Sequence, residues 1–158
     1  MGLDSYIVAR KNFSSFNWQT EKADESFVKI CDAVGVPAGF FNETYPSASV
    51  ELTVGHWRKA NQIHNWFVNN IMYGIDDCNG HSISEDVLRR LINTCESVMK
   101  DPRLCRDLLP TKSGCFFGSL EYDEYYFNDV AQTIVMLKKI LNTFTRDNGW
   151  YLTYQASW

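Results

Sequence analysis

Residues 53–68 read "TVGHWRKANQIHNWFV", which sets two histidines, an arginine, a lysine and several side-chain amides among tryptophans and a phenylalanine. Such groups bind anions, move protons and read polar edges. Arg58 falls near the expected start of a helix, where unpaired backbone N–H groups and the helix dipole favour negative charge, and His56 and Lys59 are its neighbours. This suits a phosphate; a solvated basic helix start would look the same, and one glycine is not a Gly-rich phosphate loop. On a helical wheel His64 shares the apolar side with Trp57, Ala60 and Val68. It is either a core histidine satisfied by a neighbour or the floor of a pocket, free to bond a ligand or move a proton. Asn61, at the edge of that face, either reads a base edge or phosphate or satisfies the histidine.

A second stretch, "LPTKSGCFFGSLEYDEYYFND" (109–129), surrounds two phenylalanines with Thr111, Ser113, Gly114, Gly118 and Ser119. Small residues let backbone N–H groups approach a ligand, with Phe117 as a stacking wall. Glu121, Asp123, Glu124 and Asp129 follow, and acids in a first helical turn are ordinary. Asp123, however, lines up with Leu141 on the buried side, where a carboxylate wants a partner; His64 or Arg58 would serve. "DDCNGH" (76–81) lacks the calcium-loop spacing, so no metal site is expected. No GxSxG, HExxH, Walker or kinase motif occurs, and Cys78 and Cys115 lack catalytic context.

The elements that must position these groups follow from periodicity. "LDSYIVAR" (3–10) and "ASVELTV" (48–54) suit strands, and a short helix is expected around Glu25 to Ala33, followed by a Gly/Pro-punctuated loop over 35–47. Helical spacing runs from Trp57 to Tyr73, with Trp57, Ala60, Ile63, Phe67, Val68 and Ile71 inward and Arg58, Gln62, Asn65 and Asn69 on the opposite flank. A loop over 74–82 leads to a helix capped by Ser82 or Ser84 and reaching about Lys100, burying Val87, Leu88, Leu91, Ile92, Cys95 and Met99. After an irregular segment (101–119), a last helix from about Tyr122 to Phe144 carries Tyr122, Tyr126, Val130, Leu137, Ile140, Leu141 and Phe144 on one face. A turn and strand close the chain over 148–158. The sum is a single α+β domain over 1–158, with a small antiparallel sheet of three or four strands and three main helices. The two terminal strands are candidates to pair.

At 158 residues the chain is long enough for one sizeable core. A net charge of −4 argues against stable nucleic-acid binding, which needs a basic face. The aromatic share of 15% fits mainly an aromatic core, with a stacking pocket or partner surface as the sharper alternative. Five cysteines at irregular spacing form no zinc framework, no apolar run approaches a membrane span, and "MGLDSYIVARK" carries no secretory core. A cytoplasmic protein with reduced thiols, and without a cofactor, is expected.

The phrases "MGLD" and "Y" at the start, "VGHWRKANQIHNWFV", "DDC", "LLPTKSG", "FFGS", "EYDEYYF" and the final "SW" resemble a family of small, mostly uncharacterised proteins encoded by bacteriophages and prophages. The resemblance covers most of the chain, least from Asn12 to Pro46. Some members carry a phosphoglycerate kinase label, but this chain has neither the length of that two-lobed enzyme nor its nucleotide loop, so no catalytic role is carried over. The resemblance implies an accessory protein acting in the host bacterial cytoplasm to counter antiphage defence by sequestering a nucleotide-like signal. In that scheme Arg58 and Lys59 meet phosphate, His64 and Asn61 bond base or ribose, Trp57 and Phe117 stack, and Asp123 orients His64. Two alternatives stand beside it. One is a hydrolase of nucleotides or phosphate esters with His64 and Asp123 as its acid–base pair. The other is an inhibitor docked on a host defence protein through Trp66 and Tyr73, which point away from the expected core face and would equally suit a homo-oligomer.

Overall fold

In the computed structural model, alternation along the first strand separates a buried row, Ser5, Ile7 and Ala9, from a partly exposed row, Asp4, Tyr6 and Val8. That pattern is the one expected where one face of an antiparallel sheet is covered and the other is more open. The structure describes residues 2–17, 19, 22–37, 40–41 and 46–158. Residues 38–39 and 42–45 of the expected 35–47 loop lie outside the described residues. Strands β1 (Asp4–Ser14), β4 (Ser47–Arg58), β5 (His81–Ile83) and β6 (Trp150–Ser157) form an antiparallel sheet in the order β4-β1-β6-β5. The first and last strands are therefore central neighbours, as their sequences suggested. A two-stranded hairpin pairs β2 (Phe16–Asn17) with β3 (Lys22–Ala23).

The chain divides into two units, Arg10–Glu51 and the remainder, Met1–Ala9 with Leu52–Trp158. The smaller unit carries the hairpin and α1 (Glu25–Ala33), whose first turn is capped by Asp24 and whose buried side is Phe27 and Cys31. Arg10 and Glu51 form an ion pair at 2.8 Å between its two sheet segments.

The larger unit holds α2 (Asn61–Asn70), α3 (Glu85–Lys100), α4 (Cys105–Leu108) and α5 (Glu124–Thr143). Ser84, rather than Ser82, caps α3 by accepting from the Val87 N–H. The buried face of α3 is Leu88, Leu91, Ile92, Cys95 and Val98; Met99, expected inside, is 41% exposed because the helical phase selects Val98 instead. Helix α5 buries Tyr126, Val130, Thr133, Leu137 and Ile140, and it lies against β4, where a Cβ on Gly55 would stand 3.3 Å from both Ile140 and Met136.

The second helix departs most from expectation. Strand β4 runs on to Arg58, and the helix begins only at Asn61. Helix α2 buries seven residues, including Gln62, which was expected outside, and Trp66, which was expected on the surface and is 7% exposed. A helix covered on nearly every side shows no useful amphipathic stripe, so its wheel misassigns both. Tyr73 does lie outside, at 94% exposed.

The packing of α5 makes a paired prediction. Leu137→Ala should cost about 2–5 kcal/mol by opening a cavity, whereas Val135→Ala, on the exposed side, should stay within about 0.5 kcal/mol. Urea unfolding of both variants checks the orientation of the helix.

Candidate functional site

Between the end of β4 and the start of α2 the chain reverses through Lys59, a non-glycine residue at φ 60°. Its N–H donates to the Leu3 carbonyl at 2.7 Å, and its own carbonyl accepts from the Asn61 N–H at 2.9 Å. This turn sends Arg58 and Lys59 outward and Asn61 and His64 inward. The expected site is thereby divided.

The inward half is a polar network. His64 is fully buried. One ring nitrogen, Nε2, lies 3.0 Å from Asp76 Oδ1, and the other, Nδ1, lies 2.8 Å from Tyr154 Oη. Ionised Asp76 only accepts, so in the neutral ring Nε2 carries the proton and Tyr154 donates to Nδ1. Lys112 Nζ donates to the second oxygen of Asp76 at 2.7 Å. Burial holds the His64 pKa below its ordinary value; Asp76 opposes that shift and Lys112 adds to it. Burial likewise pushes the Tyr154 phenol up, and its ring stacks on Phe67 at 3.8 Å.

Asn61 braces the neighbouring segment. Its amide donates to the carbonyls of Phe117 (3.2 Å) and Ser119 (2.8 Å), and its oxygen accepts from the Lys112 N–H at 3.0 Å. Two glycines make this segment fit. A Cβ on Gly114 would lie 2.6 Å from the Phe117 ring, and Gly118, at φ 99°, packs against Lys59 so closely that a Cβ would stand 3.0 Å from its Cβ.

Five expected roles are corrected here. Asn61 and His64, 1% and 0% exposed with their polar atoms bonded inside the protein, do not meet base or ribose. Trp57 and Phe117 are 6% and 4% exposed and cannot stack on an incoming ligand. The Trp57 indole donates to Thr133 Oγ1 at 2.8 Å, while Phe117 meets His64 edge-on. Asp123 does not orient His64, because Asp76 and Tyr154 occupy both ring nitrogens; it caps α5, accepting from the Tyr126 N–H at 3.1 Å. The sequence did not single out Asp76, Tyr154 or Lys112 for His64. Asp76 lies twelve residues away in a loop, and Tyr154 ninety away on the last strand.

The outward half is a cleft of about 270 Å³. Arg58, Lys59 and Gln62 line one part; Gly118, Ser119, Tyr125 and three carboxylates, Glu121, Asp123 and Asp129, line the rest. Arg58 pairs with Asp4 at 3.3 Å while remaining 61% exposed, so the pair costs little to exchange for another anion. Lys59 makes no ion pair among the described residues. Asp129 is pushed up from the usual carboxylate range chiefly by burial, with Asp123 adding to the shift and the Gln62 amide opposing it. A larger hollow of about 480 Å³ at the start of α3 offers a single cation, Arg146, beside Glu85 and Asp86.

Asp77, His81 and Asn79 form a separate local cluster, with His81 Nε2 2.8 Å from Asp77, and these hydrogen bonds hold the Asp77 carboxyl down at about 2. Among the described residues no three His, Cys, Asp or Glu side chains converge as metal donors, and all five cysteines are free. No described helix is long and apolar enough to cross a membrane. Neither the models of known families, nor the curated proteins, nor the solved structures contain a match to this chain.

The buried imidazole fixes a pH dependence. In the unfolded chain His64 takes its proton near 6.5, and in the folded protein it does so lower. Acid therefore favours the unfolded state: this contribution is intact above 6.5, declines as pH falls through that value, and levels off below the folded pKa. Denaturant unfolding from pH 8 to pH 5 should show the decline, and His64→Gln should flatten it. Asp123→Ala should cost about 1 kcal/mol through the lost helix cap, and Asp123→Asn should restore most of that; thermal unfolding of the two variants distinguishes capping from a role at His64.

Proposed function

We propose that this protein binds and sequesters a nucleotide-like small molecule in the Arg58–Lys59 cleft. The observation that carries this is the gathering, in one hollow, of two cations, the Gly118–Ser119 backbone, an exposed tyrosine and the side chains of Asp123 and Asp129. Phosphate oxygens suit Arg58 and Lys59, which supply charge-assisted hydrogen bonds. Tyr125, 80% exposed, offers the flat face for a base that Trp57 and Phe117 do not. Asp123 and Asp129 suit ribose hydroxyls, which donate to carboxylate oxygens.

Binding without turnover is favoured over hydrolysis by the state of His64. A general acid–base must reach its substrate, and His64 is fully buried with both nitrogens engaged. The resemblance to phage-encoded proteins gives the purpose: withdrawal of a host immune signal in the bacterial cytoplasm. A second reading, docking on a host defence protein, draws on Tyr73 and Ile75, which are 94% and 65% exposed around Gly74.

Incubation with linear and cyclic nucleotides, including NAD-derived signals, followed by separation, heat release and mass detection, tests the proposal. Depletion with recovery of intact nucleotide is expected. Arg58→Ala and Lys59→Gln should each weaken binding about tenfold or more, as expected for a lost charge-assisted contact of about 1.5–3 kcal/mol. A chemically altered nucleotide would establish an enzyme instead, and an untouched panel would turn attention to Tyr73.

A further inference from the structure

The interior network and the cleft share one piece of chain. Lys112 ends the network at Asp76, and its backbone N–H is held by Asn61. Asn61 also holds the carbonyls of Phe117 and Ser119, and Ser119 and Gly118 line the cleft. The segment 112–119 is thus fastened at both ends by the Asn61 amide, and at Lys112 also by an ion pair to Asp76. Asn61 and His64 stand three residues apart on the same helix, so both fastenings hang from one short rigid element.

The ion pair has a competitor. Asp76 has two oxygens; one takes Lys112 Nζ and the other faces His64 Nε2. While His64 is neutral, Asp76 accepts an uncharged N–H from Nε2 and Lys112 is the one cation on it. A proton on His64 creates a second cation at the same carboxylate, and the two cations repel. The other groups packed against the ring do not absorb that charge. Phe117 and Trp158 present rings, at 5.5 and 5.4 Å between centroids. Tyr154 can answer only by turning its hydroxyl proton away from Nδ1, toward the buried Ser5 hydroxyl beside it, which makes no hydrogen bond of standard geometry. The nearby Asp77 and His81 are committed to each other. Lys112, 28% exposed, is the member able to leave for water.

We propose that His64 and Lys112 compete for Asp76, so that a proton on His64 releases Lys112 and loosens the 112–119 wall of the cleft. Ligand held at neutral pH is then let go in acid. The release of ligand rests on the reading of the cleft as a binding site; the loosening of the wall does not.

The test keeps these apart. Amide hydrogen exchange of 112–119, corrected for the intrinsic effect of pH, is measured on the nucleotide-free protein from pH 8 down through the His64 titration, which proton–carbon spectra of the three histidine rings locate. Protection of the segment should fall about tenfold, a coupling of ordinary size, in step with the His64 titration. Lys112→Met, a change at a partly exposed site, should leave the segment loose at every pH and move the His64 titration upward, because a repelling charge is gone. His64→Gln, if folded, should exchange independently of pH. Protection that ignores the His64 titration, or a His64 titration unmoved in Lys112→Met, overturns the proposal. AMP retention is read separately at pH 7.5 and at a pH below the observed His64 titration. No AMP binding at either pH counts against the cleft reading and leaves the exchange result standing. Equal AMP binding at both, with a loosened wall, refutes acid release.

Discussion

The reversal at Lys59 is the constraint on which the rest depends. Strand β4 ends at Arg58 and α2 starts at Asn61, leaving two residues to change both direction and secondary structure. One of them adopts the left-handed backbone conformation that costs a side-chain-bearing residue about 1–3 kcal/mol. The surroundings over-determine it: the Leu3 carbonyl receives its N–H, and Gly118 leaves space for its side chain. Because the turn is so short, consecutive residues face opposite environments. Cations stand in water while an amide and an imidazole enter the core a few residues later.

Bringing those polar groups inside is costly unless each is satisfied. Asn61 makes three hydrogen bonds and His64 two, and Thr133 both accepts from Trp57 and donates to the Asp129 carbonyl. None of these bonds closes a regular helix or strand ladder. The Asn61 bonds and the His64–Asp76 bond reach irregular segments, which have no repeating backbone ladder of their own, while the His64–Tyr154 and Trp57–Thr133 bonds join α2 to β6 and β4 to α5. The buried amide and imidazole therefore give loops what strands obtain from one another, and the segment facing the cleft is held by side chains of α2.

Much of this was legible in the sequence. Content rich in β-branched and aromatic residues marked β1, alternation marked β4, and the pairing of β1 with β6 was suggested by two β-rich ends; a capping residue and period located α3, and period alone α5. What failed did so for identifiable reasons. The wheel over 57–73 assumed a helix where Trp57 and Arg58 are still strand, and that error carried Trp57 and His64 onto one notional face. Asp123 seemed to need a partner because its position aligned with Leu141, yet a cap residue precedes the helix and does not obey its wheel. Asp76 was hidden by lying beside Asp77 in a polar loop, and Tyr154 by its distance along the chain. Arg58 and Lys59 were expected to be exposed at a helix start; they are exposed, but Arg58 ends β4 and Lys59 makes the turn before α2.

The sheet order has a kinetic consequence. Its two central strands, β1 and β6, are the first and last in chain order, so the middle of the sheet is completed by the most distant strand pairing in the fold. Contacts of that kind must overcome a large loop-closure entropy before they add any stability, and they slow the search for the native state. On a ribosome, β4 and β1 can pair early, but the inner edge of β1 waits for β6. Until then Tyr154 is missing from the face of Phe67 and from the ring of His64. The polar interior is thus among the last parts to be sealed, and an arrested or truncated chain would present that unsatisfied edge to chaperones and proteases.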